Sequence, residues 1–491
     1  MLGRIKEIKE KPLKPYLVGL CAGLYPILFY AGNNYSLVNS WGHLLFFALT
    51  FLILPAIGAT LGAFFLKKKF GARGVQTWLA FLGFGLFFFF LKVTLFEAPH
   101  RKITALILLI SALYAYYLGA QHRKFMVLQG LMGLLAVFPL LGQIYHNISL
   151  SEKWKEIPEQ SLKFDFTVKP NIYLIQPDGL VNFSELKTGY YQYHDASFET
   201  ELSAMGFTHY PDFRSNYAST LSSNSALMMM KHHYYNYGDS FSEALDARES
   251  IVSENHVLKV FKNNDYQTNL ISVAPYLLVN HPKMGFDRAN FSYSEIGYLS
   301  QGFNLKADVV HDLTEYLAQE PSQPQFYFIE FFNPGHIHGR KEMSLGADQE
   351  RGLWLASMER GQQTLRVLIS GIQERDPQGL IMILADHGGF VGYDYTNQIY
   401  TKTQDRDLIY SIFSSQLSIK WPVGVKPEQP INFTTSVNVF RLLFGHLSQS
   451  QTENQDLEPD VSYVILDDEP NKGVYEYIDQ NGTIICNKVE Q

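Results

Sequence analysis

The stretch LIMILADHGGF, residues 380–390, runs through five apolar positions and an alanine directly into Asp386 and His387, and then into two glycines. A short, unbroken apolar run bounded by turn residues reads as a strand buried on both faces. Strands of that kind build mainly parallel sheets covered by helices, and the chemistry of such sheets collects in the crevice beyond the carboxyl ends of the strands. Two more runs end in the same manner. NIYLIQ (171–176) opens into Pro177, Asp178 and Gly179, and QFYFIEFF (325–332) opens into NPGHIHG, which carries His336 and His338. Taken singly, an Asp-Gly pair is an ordinary turn, and a lone histidine after a strand is usually structural. Three separate strands delivering Asp, His and Asp-His to one edge call for a common cause.

The rest of the outer sequence fits the same architecture. A further strand pattern, YQTNLISV (266–273), and helical patterns around 196–205, 305–319 and 350–374 alternate with the runs above, which predicts an α/β domain with a mainly parallel central sheet covered by helices. The tail GVYEYIDQNGTIICNK has an Asn-Gly turn between two β-rich runs and predicts a closing hairpin.

The first 145 residues differ in kind. Apolar runs at 16–33, 41–66, 75–96, 103–119 and 125–145 each approach the length of about 20 residues that crosses a bilayer. Five in series predict a five-span helical membrane anchor over 1–145, a polar linker over 146–170 and a catalytic domain over 171–491. Arg4, Lys6, Lys9, Lys11 and Lys14 precede the first run, Lys67, Lys68, Lys69 and Arg73 follow the second, and Arg123 and Lys124 follow the fourth. Basic residues beside spans stay cytoplasmic. The expectation is therefore a multi-pass protein of the cytoplasmic membrane with its N-terminus inside and its catalytic domain on the periplasmic or extracellular side. A net charge of -7 gives no electrostatic basis for binding nucleic acid.

Only two cysteines, Cys21 and Cys486, occur in 491 residues, so a metal would be held by carboxylates, imidazoles and hydroxyls. Carboxylates with an imidazole suit one divalent ion such as zinc or manganese. The hydroxyl source is SNYASTLSSNSALMMM (215–230), where Ser219, Thr220, Ser222 and Ser223 precede an apolar run. The modest reading is a helix N-cap; the sharper one is a nucleophile at a helix N-terminus that also attracts an anion. Arg214, Lys231, His232 and His233 are further candidate anion ligands, more simply read as solvated surface.

In the order PNIYLIQPDG, NYASTLSSNSALMM, FNPGHIHG, ILADHGG and TTSVNVFRLLFG (434–445), the chain resembles the sulfatase-like branch of the alkaline phosphatase superfamily. With its membrane anchor it is similar to lipoteichoic acid synthases and to phosphoethanolamine and phosphoglycerol transferases. The resemblance implies Asp178, Thr220, Asp386 and His387 as metal ligands and Thr220 as the nucleophile. It also implies His336 or His338 as a contact to the transferred anionic group. It further implies a membrane lipid as donor and an envelope glycan or lipid as acceptor, or else hydrolysis of a phosphate or sulfate ester. Neither cysteine lies in the Cys/Ser-x-Pro-x-Arg context from which true sulfatases make formylglycine. The first strand ends in a single acidic residue, which points to a single ion. Gly388 and Gly389 are expected to leave room for the substrate. The loops 231–260, 275–300 and 390–407 are the candidates for setting specificity.

Overall fold

The computed structural model describes residues 12–96, 100–233, 246–319, 322–449 and 457–489. Arg4, Lys6, Lys9 and Lys11, and the middle of the loop 231–260, lie outside these residues. The chain forms two compact units, one of Met1–Leu150 with Val279–His281 and Gly297–Gln301, the other of the remaining residues.

The first unit is helical. Among the described residues, three helices are long and apolar enough to cross a membrane: Pro15–Asn33, Trp41–Leu95 and Arg101–Ser149. The second of these is not straight. Gly71 breaks it with φ 65° and ψ -167°, a left-handed geometry that glycine adopts without penalty. Phe51 and Phe90 consequently meet with ring centroids 4.6 Å apart, although one straight helix would hold them about 60 Å apart. The third helix is interrupted by the 3-10 turn Gly119–Gln121. Phe84 meets both Tyr114 and Phe125, at 4.3 and 5.2 Å, on the two sides of that turn. The outward face is apolar: Phe64, Phe65, Leu134, Leu135 and Phe138 are each at least 60% exposed. An apolar surface of this extent is costly in water and suits a hydrocarbon surround.

Among its described residues the second unit has ten strands: β1 Ile172–Pro177, β2 Phe207–His209, β3 Gln267–Ser272, β4 Arg288–Ala289, β5 Gln325–Phe331, β6 Leu380–Leu384, β7 Leu417–Lys420, β8 Ser462–Leu466, β9 Gly473–Ile478 and β10 Ile484–Lys488. The first seven form one sheet in the order β2-β7-β6-β1-β5-β3-β4. β6, β1, β5, β3 and β4 pair in parallel, whereas β7 runs antiparallel to β6 and β2 antiparallel to β7. The expected mainly parallel sheet is what forms, with two antiparallel strands at one edge.

Alternate residues of the central strands feed two cores. Leu174, Leu270, Phe328 and Met382 face one, with the helices Thr220–Met229, His256–Asn263 and Val439–Ser448. Tyr173, Ile175, Ile271, Ile329 and Ile383 face the other, with Val309–Leu317, Ala347–Arg375 and Arg406–Phe413. Burial on both faces is why these strands read as continuous apolar runs rather than alternating ones. The expected tail hairpin is present as β9 and β10, and β8 extends it to three strands. The segment expected as a linker folds onto this unit after Ser149. Leu162 and Phe166 join the first core, and the Phe166 amide donates to Asn264 Oδ1 at 2.8 Å.

One buried contact sets the position of the helix Thr220–Met229. Gln176 on β1 and Asn224 on the helix exchange two side-chain amide hydrogen bonds, at 2.8 and 2.7 Å. Both residues are inaccessible to solvent, so losing either partner would strand a buried polar group. The pair holds the start of the helix above the carboxyl end of β1.

Candidate active site

Sheet register brings the two acidic ends together. Ile175 of β1 pairs with Ile383 of β6, and three residues beyond each position come Asp178 and Asp386. The next residue, His387, completes a group in which one ligand atom from each of Asp178, Asp386 and His387 lies within 4.8 Å of the others. His387 Nε2 is 3.3 Å from Asp386 Oδ2 and 3.5 Å from Asp178 Oδ1. It is also 3.3 Å from Thr220 Oγ1. Residues more than two hundred positions apart thus meet at one imidazole nitrogen.

The local chain explains how each group is held. Ser219 occupies the N-cap of the helix Thr220–Met229, its hydroxyl accepting from the Ser222 amide at 3.4 Å. Capping therefore falls to Ser219 and leaves the Thr220 hydroxyl to face His387. The helix N-terminus adds partial positive charge beside that hydroxyl. His387 Nδ1–H donates to the Gly388 carbonyl at 2.8 Å, which turns the Nε2 lone pair toward the oxygens. Asp386 Oδ1 accepts from the amides of Gly179 and His387, at 3.1 and 3.0 Å. Its Oδ2 and the Oδ1 of Asp178 are buried and accept no hydrogen bond.

A lone pair facing two such carboxylate oxygens is repulsive unless a cation or a proton lies among them. This donor set of two carboxylates, one imidazole with its second nitrogen anchored and one hydroxyl fits a divalent ion. The proton affinities carry the same imprint. Burial, reinforced by Asp386, raises Asp178 to about 7 against a smaller opposing effect of His387. Burial alone would depress His387, but Asp386 and Asp178 hold it above the ordinary imidazole value.

The site opens on one side. Asp386 and His387 are each 2% exposed and form its floor, while Thr220, Asp178 and His336 are reached by solvent. His336 lies with its ring centroid 6.4 Å from that of His387, and Phe390 stacks against both rings at 5.6 and 5.0 Å. His338 turns elsewhere: its Nδ1 pairs with the Glu350 carboxylate at 2.9 Å.

Several expectations need correction. Gly388 and Gly389 leave no space for a ligand. A Cβ at Gly388 would stand 2.2 Å from the Ser411 carbonyl oxygen, and one at Gly389 would stand 2.0 Å from the Trp354 indole nitrogen. These glycines let the chain pack against its neighbours. Arg214, His232 and His233 are not solvated surface. All three are buried; Arg214 donates to the Asp479 carbonyl at 2.9 Å, His232 Nε2–H donates to the Pro459 carbonyl at 2.7 Å, and His233 Nε2–H donates to the Ser222 carbonyl at 2.7 Å. Lys231 Nζ donates to the Glu156 carbonyl at 2.9 Å. Arg214 lies between β2 and the helix at Thr220, and His232 and His233 follow that helix, at places where the chain runs through the interior.

Glu330, outside the motifs above, is fully buried on β5 in register with Gln176. Its signal was present: one charged residue inside the otherwise apolar run FYFIEFF.

No family model and no curated protein matches the chain. Among solved structures, it is similar to the C-terminal periplasmic domain of EcEptC from Escherichia coli, at 12% identity over 64% of this chain and 94% of that one, with a TM-score of 0.42. It is also similar to the lipoteichoic acid synthase LtaP from Listeria monocytogenes, at 11% identity over 67% and 91%, with a TM-score of 0.40. A third similar structure is the putative sulfatase yidJ from Bacteroides fragilis, at 13% identity over 62% and 83%, with a TM-score of 0.40.

Proposed function

We propose that this chain is a membrane-anchored, metal-dependent phosphotransferase. It moves a phosphate-linked head group, of the phosphoglycerol or phosphoethanolamine type, from a membrane lipid to an envelope glycan or lipid. The observation that carries this reading is the Thr220 hydroxyl at a helix N-terminus, 3.3 Å from His387 Nε2 and freed from capping by Ser219.

Asp178, Asp386, His387 and Thr220 would hold one divalent ion, zinc or manganese. Such an ion lowers the pKa of a neighbouring hydroxyl and neutralises charge that builds on phosphoryl oxygens. Thr220 Oγ1 forms the new bond to phosphorus as the bond to the lipid alcohol breaks, and the threonine proton ends on that departing alcohol. The acceptor hydroxyl then takes the group from Thr220 and returns a proton to it. The helix N-terminus orients the anionic group toward Thr220. His336, solvent-accessible and close to the His387 ring, contacts the transferred group; His338 is committed to Glu350.

The first unit supplies the anchor, with five crossings. The limbs of Trp41–Leu95 on either side of Gly71, and those of Arg101–Ser149 on either side of Gly119–Gln121, count as two each. Lys67, Lys68, Lys69 and Arg73 flank the first turn, and Arg123 and Lys124 follow the second. Basic turns remain cytoplasmic, which puts the N-terminus inside and the catalytic unit outside. A reporter fused at residue 300 is expected to report the outer compartment; a cytoplasmic signal there would overturn this topology.

The catalytic reading is tested by mass spectrometry of the full chain after incubation with membrane lipids. The expected result is a covalent adduct on Thr220 whose mass identifies the head group. An adduct on another residue, or none under conditions of turnover, overturns the assignment. Release of the head group to water with no acceptor product would identify the hydrolase instead.

A further inference from the structure

The first unit holds a cavity of about 560 Å³ where its two turns, at Gly71 and at Gly119–Gln121, meet the entry to the helix Pro15–Asn33. Leu13 lines it from ahead of that helix, Phe64 and Lys67 from before Gly71, Val75 and Leu79 from after it, and Arg123 from beyond the second turn. Its floor is packed and apolar, because Ala63 and Leu79 join Val18 and Ala59 in a small buried cluster. Its described lining includes two cations, Lys67 and Arg123, and no Asp or Glu. The volume falls in the range of about 300–1,000 Å³ in which proteins bind small molecules. Basic residues beside spans are ordinarily explained by orientation alone. Lys68, Lys69, Arg73 and Lys124 fit that account, since they belong to the same turns and stay off the cavity wall. Orientation does not require two cations from different turns to share one apolar hollow.

The geometry points to an anionic phospholipid as the occupant of this hollow, its phosphate against Lys67 and Arg123 and its glycerol and first acyl carbons along Leu13, Val75 and Leu79. A soluble anion would meet the cations and leave the apolar wall wet, which is unfavourable. A hydrocarbon chain alone would cover the wall and press against two charges. A zwitterionic head group would bring an ammonium to a lining that offers it no carboxylate. Basic hollows between membrane helices on the cytoplasmic side bind anionic head groups, and the topology proposed above puts both turns on that side. The choice of leaflet rests on that topology; nothing here rests on the chemistry at Thr220. On the side opposite the catalytic unit, this lipid is not the donor but a bound constituent that ties the entry of the first helix to both turns.

The test is native mass spectrometry of the detergent-solubilised full chain with phosphatidylglycerol or phosphatidylethanolamine added. Wild type is expected to retain one phosphatidylglycerol and to prefer it over phosphatidylethanolamine by at least about tenfold. Lys67→Gln combined with Arg123→Gln is expected to weaken retention by roughly 25-fold, about fivefold for each cation. Thr60→Phe, at another lining position, fills the hollow without changing charge and is expected to abolish retention. Lys68→Gln combined with Arg73→Gln removes two cations that do not line the hollow and should leave retention unchanged. Equal retention of the two lipids, displacement of phosphatidylglycerol by excess inorganic phosphate, undiminished retention in Thr60→Phe, or an equal loss on removing Lys68 and Arg73 overturns the site. If the variants fail to fold, the head-group preference of wild type and its resistance to phosphate decide by themselves. Failure of the topology is read separately, by the reporter at residue 300.

Discussion

Thr220→Ala is expected to lower turnover of an activated phosphodiester by at least about 10⁴-fold, the scale on which enzymes lose rate when a covalent nucleophile is removed. The local structure makes this a test of chemistry rather than of folding. Thr220 is the first residue of its helix, and the cap is made by Ser219, whose hydroxyl accepts from Ser222. Alanine at the first helical position removes no capping bond, and thermal stability should remain close to that of the wild type. Thr220→Ser keeps an oxygen at the same place and is expected to retain part of the activity. The adduct found by mass spectrometry should vanish in the alanine variant and persist in the serine variant. Activity of Thr220→Ala within about tenfold of wild type would remove Thr220 from the mechanism.

Loss of metal should follow from changes at the floor of the site. Asp386→Asn and His387→Ala are expected to weaken retention of zinc or manganese by more than the 10- to 100-fold typical of outer-sphere changes, as measured by metal analysis of the purified chain. Undiminished metal in both variants would dissolve the proposed centre. The same groups set how stability responds to pH once metal is chelated. Asp178 is raised to about 7 and Glu330 well above its ordinary value, in each case mainly by burial. His387 is also raised, by its two carboxylates against the effect of burial. A group whose folded pKa is raised contributes stability that is fully present below its unfolded pKa and is lost as pH rises through the folded one. All three act in one direction. The melting temperature of chelated protein should fall between about pH 4, where unfolded carboxylates titrate, and pH 8, and the increment given by added metal should grow over the same interval. A metal increment that shrinks as pH rises would contradict the placement of a cation among these groups.

The sequence by itself determined the elements. The apolar runs at 171–176, 325–332 and 379–385 became β1, β5 and β6 because strands buried on both faces need no alternation, and the turn residues that end them mark their ends locally. The tail hairpin was legible from Asn-Gly for the same local reason. The apolar character of the first 150 residues was written in composition alone, whereas the reversal of Trp41–Leu95 at Gly71 depends on one backbone geometry.

Only the tertiary structure decided which side chains meet. No local pattern states that β1 lies between β6 and β5, yet this order sets Asp178 beside Asp386 and aims Glu330 at the same face. Of His336 and His338, the second is engaged by Glu350 of the helix that follows in the chain, a pairing that no local pattern announces. Ser219 and Thr220 are adjacent hydroxyls of like chemistry, and only the phase of the helix start assigns the cap to one and leaves the other facing His387. The glycines after His387 read as room for a ligand, but the approach of Ser411 and Trp354 shows them to be packing positions. Periodicity and turn chemistry are short-range and survive in sequence; convergence depends on strand order, register and side-chain direction, which are set by burying the whole chain at once.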